Sequence, residues 1–173
     1  QMPKGSPPDT GATRILLDEP GHLIVHAWKN ILVFVWVGDG PAALMRRLGP
    51  IIAAHSRELG RLSVVSIVAK ISELPDETRR QAYKEFIAEH GAKLAHQIVV
   101  IEREGFMGSA LRGFITGLLL VTRMHHAVQV ASTVEEAAAW LPAKHAALTG
   151  VVVDSNELAR VLVRTRGEAL SRS

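Results

Sequence analysis

The feature that most constrains this chain is an ordered change in the spacing of its apolar residues. Three short apolar runs come first, bounded by turn residues and reading RILLD, HLIVHAWK and ILVFVWVG. The turn residues Glu19-Pro20-Gly21 and Lys29-Asn30 separate them. Short β-like runs joined by such turns predict two hairpins made of three antiparallel strands.

After Gly40 the pattern becomes an alternation of strand-length and helix-length segments. Strands are predicted at LSVVSIVA, HQIVVIE and HAVQVAS. Helices are predicted between them and after the last, starting at Pro41, near Pro75, at Gly105 and at Thr133. Alternation of this kind requires crossover connections, so we predict an α/β fold in which helices pack on a mixed, mostly parallel sheet.

The length of 173 residues, of which 47% are apolar, is enough for one domain with a sizeable core. We expect a disordered, Pro- and Gly-rich leader over residues 1–12, a domain over 13–148, and an amphipathic helix and tail over 149–173. Asp154 is the predicted N-cap of that last helix, and Leu158, Val161 and Leu162 form its apolar stripe.

Two stretches carry a family resemblance. These are ILVFVWVGDGPAALMRRLGPIIAAH, a strand followed by the first helix, and VQVASTVEEAAAWL, the closing strand and helix. Together with the order of elements from Arg14 to Leu148, they resemble the STAS domains of the anti-sigma-factor antagonist family. They are more similar still to the SpoIIAA-like relatives, which share that fold with the CRAL/TRIO lipid-binding group. The resemblance implies a regulatory domain that binds partner proteins, or in the CRAL/TRIO manner an apolar small molecule.

In the antagonist family the switch is a phosphorylatable serine in an Asp-Ser-Ser/Thr-Gly motif, in the loop after the strand that follows the first helix. Ser72 stands at the matching place, but the loop reads Lys70-Ile71-Ser72-Glu73-Leu74-Pro75, without the Asp, the second hydroxyl or the Gly. Ser72 is therefore either a regulatory residue or a cap of the next helix.

The stretch GFMGSALRGFITGLLLVT, residues 105–122, combines four glycines with a helix-length apolar run. Its start follows a predicted strand, where free backbone N–H groups can hold an anion. Gly105, Gly108 and Ser109 would form that site, and Arg103 or Arg112 could add positive charge. The alternative is an ordinary loop and first helical turn.

Further along the same helix, Ser109, Gly113 and Gly117 recur every four residues and so lie on one narrow stripe. Apolar residues surround the stripe, so the helix is expected to be buried on both sides. Close packing against the sheet or a partner helix would offset the roughly 1 kcal/mol that each interior glycine costs. The second face would be covered by the C-terminal helix, a second subunit or an apolar ligand. The segment is too short to span a membrane, which needs ~20 apolar residues.

No strong catalytic or metal-binding pattern is present. Cysteine is absent, which fits a cytoplasmic location and excludes thiolate chemistry. None of the eight histidines forms a metal-binding helix pair; His125 and His126 are either a polar pocket rim or exposed loop residues. The excess of 20 basic over 17 acidic residues is too small and too dispersed to indicate nucleic-acid binding. No cofactor is expected.

The sequence thus predicts a non-catalytic, STAS-like interaction module, with a protein partner or self-association. The alternative is a carrier or sensor of an apolar small molecule, with Met45, Met107 and Met124 as adaptable lining residues. Phosphorylation of Ser72 or Ser109 stays open, and the third hypothesis is an enzyme that uses a His or Ser near residues 109 and 125–126.

Overall fold

The computed structural model describes residues 12–123 and 128–173. Most of the predicted leader and the residues Met124, His125 and His126 lie outside this part of the chain. The elements are β1 (Arg14–Glu19), β2 (Leu23–Trp28), β3 (Ile31–Trp36), α1 (Ala42–Leu59), β4 (Leu62–Val68), α2 (Glu77–His90), a short 3-10 turn (Gly91–Lys93), β5 (Leu94–Ile101), α3 (Gly105–Thr122), β6 (Val128–Ala131), α4 (Val134–Thr149) and α5 (Ser155–Ser171).

The strands form one six-stranded sheet in which the spatial order follows the chain, β1-β2-β3-β4-β5-β6. The pairs β1–β2 and β2–β3 are antiparallel, whereas β3–β4, β4–β5 and β5–β6 are parallel. The predicted α/β class, the antiparallel start and the parallel continuation are confirmed.

The sheet has a core on each face because residues along a strand point alternately to opposite sides. One core joins alternate residues of the inner strands to α4 and α5. The other joins the intervening residues, such as Leu32 and Phe34, to α1 and α2. The three crossover helices α1, α2 and α3 share this second face.

The C-terminal helix is part of the first core. Leu158, Val161 and Leu162 are buried against the sheet and α4. Asp154 caps the helix by accepting a hydrogen bond of 2.9 Å from the Glu157 backbone N–H, as predicted. At its far end, Arg172 pairs with Asp18 of β1 at 3.0 Å.

The other helix boundaries also follow local chemistry. Thr133 accepts a 3.0 Å hydrogen bond from the Glu136 backbone N–H and so caps α4. Gly60 ends α1 with a positive φ of 78°, a conformation that glycine adopts without a steric penalty. Among the described helices, none combines the length and the apolar character that a membrane crossing requires.

Candidate functional site

A cavity of about 170 Å³ lies between the sheet and the crossover helices α2 and α3. It arises because α3 packs on α2 rather than directly on the sheet. The Phe114 ring of α3 lies 6.4 Å from the Tyr83 ring of α2, centroid to centroid, and 5.7 Å from the Arg80 guanidinium carbon. These contacts hold α3 as a roof above β4, β5 and β6.

The walls of the cavity are mostly apolar. Its floor includes Val68 and Val99 of the sheet, and Met45 of α1 closes one side. The roof consists of side chains from α2 and α3, namely Tyr83, Phe86, Ile87, Leu111, Phe114, Ile115, Leu118 and Leu119. A concave, apolar site with a few polar groups is the usual form of a small-molecule site.

Three uncharged polar side chains line this cavity: Ser66 of β4, Gln97 of β5 and Tyr83 of α2. Within residues 12–123 and 128–173, none of the three side chains has a hydrogen-bond partner. Burial raises the pKa of the Tyr83 hydroxyl, the Arg79 charge partly offsets this effect, and the Asp39 and Asp76 charges add to it, so this group is a neutral donor at physiological pH. All three can therefore bond a molecule in the cavity.

Asp39 lies at the rim, in the Gly38-Asp39-Gly40 turn that follows β3. Its carboxylate accepts a hydrogen bond from the Ser72 backbone N–H at 3.2 Å and another from the Ser72 hydroxyl. Burial disfavours the charged carboxylate, but the hydrogen bonds from Ser72 and Glu73 and the charge of Arg79 outweigh burial and lower the pKa of Asp39. The rim therefore carries a fixed negative charge.

Arg79 lies beside Asp39 but is occupied by other groups. Its guanidinium pairs with Glu73 at 2.9 Å and with Asp76 at 3.5 Å, and donates to the Leu74 carbonyl at 3.3 Å. Burial would lower the pKa of Arg79, but the two carboxylates raise it overall. Arg79 thus fixes the loop before α2 and has few donors left for a ligand.

Ser72 bonds the rim residue Asp39 and does not cap a helix. Asp76 caps α2 instead, accepting from the Arg79 backbone N–H at 2.9 Å. The capping interpretation of Ser72 is wrong because Asp76 stands directly before the helix, while the Ser72 hydroxyl bonds Asp39 of the neighbouring loop. Ser72 is exposed, and its phosphorylation stays a prediction.

At the predicted anion site over residues 105–109, the backbone follows the expected path. The arginines that were expected to add positive charge instead bond backbone carbonyls. Gly105 has φ +82°, and a Cβ at Gly108 would overlap the Arg103 carbonyl oxygen, so both glycines are required by the chain path. However, Arg112 donates to the Ile101 carbonyl at 2.7 Å, and Arg103 to the Ile71 carbonyl at 2.6 Å. Both guanidiniums serve to fix loops, which favours the alternative of a structural turn.

The stripe of Ser109, Gly113 and Gly117 faces outward. All three residues are exposed, and apart from neighbouring residues and the backbone of α3 itself, no described atom lies within 4 Å of a Cβ built at either glycine. The expectation of close packing of the stripe against the sheet is therefore wrong. The reason is that the longer side chains on the opposite side of α3 form the cavity roof and hold the stripe away from the sheet. The C-terminal helix does not cover this face of α3 either, because α5 packs with α4 on the other side of the sheet. Cover by a second subunit or an apolar ligand stays a prediction.

A second polar cluster lies inside the core on the other face of the sheet. His145 of α4 contacts Ser63 Oγ through Nδ1 at 2.6 Å and Asn30 Oδ1 through Nε2 at 2.7 Å. A hydroxyl, an imidazole and an amide in series are the groups of a nucleophilic triad. Ser63 and His145 are both 0% exposed, however, so no substrate reaches them and the cluster is structural.

The sequence pattern did not predict the cavity residues Asp39, Ser66, Tyr83 and Gln97. A signal was present in the Gly-Asp-Gly turn after β3, since ligands of α/β proteins often bind at the carboxyl ends of parallel strands. Ser66 and Gln97 are also polar residues within mostly apolar strands. Among the described residues, no group of three or more His, Asp or Glu side chains could hold a metal ion.

The fold and this site define an α/β protein with a mixed six-stranded sheet and an apolar cavity beneath its crossover helices. The chain matches no protein-family model, no curated protein and no solved structure.

Proposed function

We propose that this protein is a non-catalytic module that binds a small apolar molecule between the sheet, α2 and α3. The observation that carries the proposal is the cavity of about 170 Å³. Protein interiors are normally packed as densely as organic crystals, with few voids larger than a water molecule. A cavity of this size, lined by aromatic and aliphatic side chains, is suited to holding a ligand.

The proposed STAS-like or SpoIIAA-like relationship agrees with this function. Its support is the order of elements, in which an antiparallel hairpin start precedes alternating strands and helices. The SpoIIAA-like relatives share their fold with the CRAL/TRIO group, which binds lipids. A cytoplasmic location stays a prediction.

Native mass spectrometry of the purified full chain tests the function, together with a titration of toluene followed by heteronuclear NMR. We expect either a co-purifying ligand or toluene-dependent shifts at residues of β4, β5 and α3. Val99→Phe should abolish both, because the larger ring occupies the floor of the cavity.

Val163→Phe is the matched control, since Val163 is exposed on α5, away from the cavity. It should leave ligand retention and the toluene shifts unchanged. A clean apo mass together with no toluene shifts in the original protein would contradict the proposed function.

A second candidate function is self-association through the outer face of α3. Phe106 is 86% exposed, Val121 72% and Leu120 62%, although all three are large apolar residues on one helix. The small stripe lies between them, and none of the exposed residues over 105–122 is charged. A second copy of α3 could therefore approach closely along Gly113 and Gly117 while burying these side chains.

Light scattering over a concentration series tests this candidate. We expect a dimer that Gly117→Arg dissociates. Gly167→Arg is the matched control, because Gly167 is also an exposed glycine inside a helix, with no described atom near its Cβ position. A monomer at every concentration, or equal effects of the two substitutions, would exclude the α3 interface.

A further inference from the structure

We infer that the ligand is an uncharged, ring-sized molecule with a hydrogen-bonding substituent that contacts Gln97 and Ser66 on the cavity floor. This inference rests on the proposed function and adds the chemical class of the ligand. Three properties of the cavity support it: the placement of its polar groups, the charges around it and its volume.

The polar groups lie next to each other on the floor. Gln97 is in register with Val64, and Ser66 is in register with Val99, so Gln97 and Ser66 are one strand and two residues apart. That separation is about 8 Å between Cα atoms, from the strand spacing and the rise per residue. The long Gln97 side chain can span much of this distance. Both groups can therefore reach one polar substituent held between them.

Neither side chain has a hydrogen-bond partner in the described part of the chain. A ligand that displaces water from the cavity must replace the hydrogen bonds that these side chains make to water, because a buried polar group normally has a partner. An amide and a hydroxyl offer both donors and acceptors. They suit a carboxamide, a hydroxyl or a carbonyl group on the ligand. Tyr83 on the roof offers a further donor above the same space.

The charges around the cavity argue against an ionised ligand. Of the cations that line the cavity, Arg79 pairs with two carboxylates, whereas Lys70 is exposed, so that water screens its charge. The Asp39 carboxylate at the rim would repel an anion. A cationic group would give up its hydration for a carboxylate that already accepts bonds from Ser72. A neutral ligand avoids both costs.

The volume of the cavity limits the size of the ligand. A cavity of about 170 Å³ is slightly larger than the ~150 Å³ apolar cavity known to take up benzene. One ring with one short substituent fills it, whereas a long acyl chain would extend outside.

The experiment compares three probes of similar size: benzamide, toluene and benzoate. Dissociation constants are measured by NMR titration on the full chain and on Gln97→Leu, in which a side chain of similar size keeps the volume but removes the hydrogen bonds. Ser66→Ala is the second variant, so that the test does not depend on one substitution folding. Circular dichroism confirms that each variant retains the fold.

We expect benzamide to bind about tenfold or more tightly than benzoate. Gln97→Leu should raise the dissociation constant for benzamide by about 2- to 10-fold, as expected for the loss of one hydrogen bond. Toluene binding should stay unchanged or improve. Ser66→Ala should act in the same direction with a smaller effect. The decisive readout is the ratio of benzamide to toluene affinity, which a general loosening of the cavity would not change.

Two outcomes overturn the inference while leaving the proposed function intact. One is benzoate binding as tightly as benzamide. The other is equal effects of both variants on benzamide and toluene, which would show an apolar cavity without polar selection. If no probe binds and Val99→Phe changes nothing, the proposed function itself fails, and the inference fails with it.

Discussion

The Nδ1 atom of His145 lies 2.6 Å from the hydroxyl oxygen of Ser63, deep in the core between the sheet and α4. The Nε2 atom of the same ring lies 2.7 Å from Asn30 Oδ1, an oxygen that can only accept. The proton of the neutral ring therefore resides on Nε2, and Nδ1 accepts from Ser63. Asn30 in turn donates to the Arg61 carbonyl at 3.3 Å. Burial of the ring lowers the pKa of His145 and so favours this neutral form.

The first prediction is that the protein loses stability in mild acid. Burial lowers the pKa of five described histidines below the usual 6.5: His26, His55, His90, His96 and His145. Below about pH 6.5 the unfolded chain binds protons that the folded protein does not. The neutral histidines therefore contribute fully to the free energy of unfolding above about pH 6.5. Their contribution declines as the pH falls toward the lowered pKa values of the folded protein. Each unit of pKa depression corresponds to about 1.4 kcal/mol.

Urea unfolding between about pH 7.5 and about pH 5 measures this dependence. His145→Gln removes one titrating group, so its unfolding free energy should fall less steeply over the same range. A free energy of unfolding that does not change with pH in the original protein would contradict the assignment of buried neutral histidines.

The second prediction concerns the contact between Ser72 and Asp39. A negative charge at Ser72 would stand next to the Asp39 carboxylate in place of a hydrogen-bond donor. Ser72→Glu should therefore open the loop over residues 70–75, which forms part of the cavity rim. Amide hydrogen exchange should increase there in Ser72→Glu and not in the neutral control Ser72→Gln. Equal exchange in the two variants would argue against an electrostatic effect.

The third prediction separates two kinds of glycine in α3. Gly113→Ala and Gly117→Ala should each stabilise the isolated subunit by about 0.5–1 kcal/mol, because both positions are helical and open. Gly108→Ala should destabilise it by about 1–3 kcal/mol, since the new methyl group overlaps the Arg103 carbonyl. Thermal unfolding at low protein concentration gives the three values. Stabilisation by Gly108→Ala would contradict the described start of α3.

The fourth prediction is that α5 is essential to the fold. Leu158 is 0% exposed in the core beneath α4, so Leu158→Ala should cost about 2–5 kcal/mol. Val163→Ala, at a residue that is 41% exposed on the same helix, should change stability by much less. Chemical denaturation of both variants provides the comparison. Similar small losses for the two would indicate that α5 is a detachable tail.

Much of the fold could be predicted from local pattern. The turn residues around Gly21 and Asn30 mark the hairpins, and the caps Thr133 and Asp154 mark two helix starts, because each acts through neighbouring backbone groups. The cavity could not be predicted in this way. It depends on how far α3 stands from the sheet, and that distance is set by contacts such as Tyr83 with Phe114, which are distant in sequence.

The same limit explains the two interpretations that the structure corrects. Ser72 is compatible with a cap on local grounds, but its hydroxyl donates to Asp39, which lies 33 residues earlier in the chain. The glycine stripe of α3 has a regular spacing that indicates one face of a helix but not what lies opposite that face. Local spacing shows which residues are neighbours on a helix, whereas burial depends on the whole tertiary arrangement.

The agreement between strand order and chain order has a consequence for how the protein folds. Each strand pairs with the strand next to it in the sequence, so every pairing closes only one hairpin or one strand–helix–strand unit. Short closures cost little chain entropy and favour rapid folding. The sheet can therefore grow one strand at a time as the chain leaves the ribosome. The helix α5, whose Arg172 pairs with Asp18 of the first strand, can dock only after all six strands have emerged.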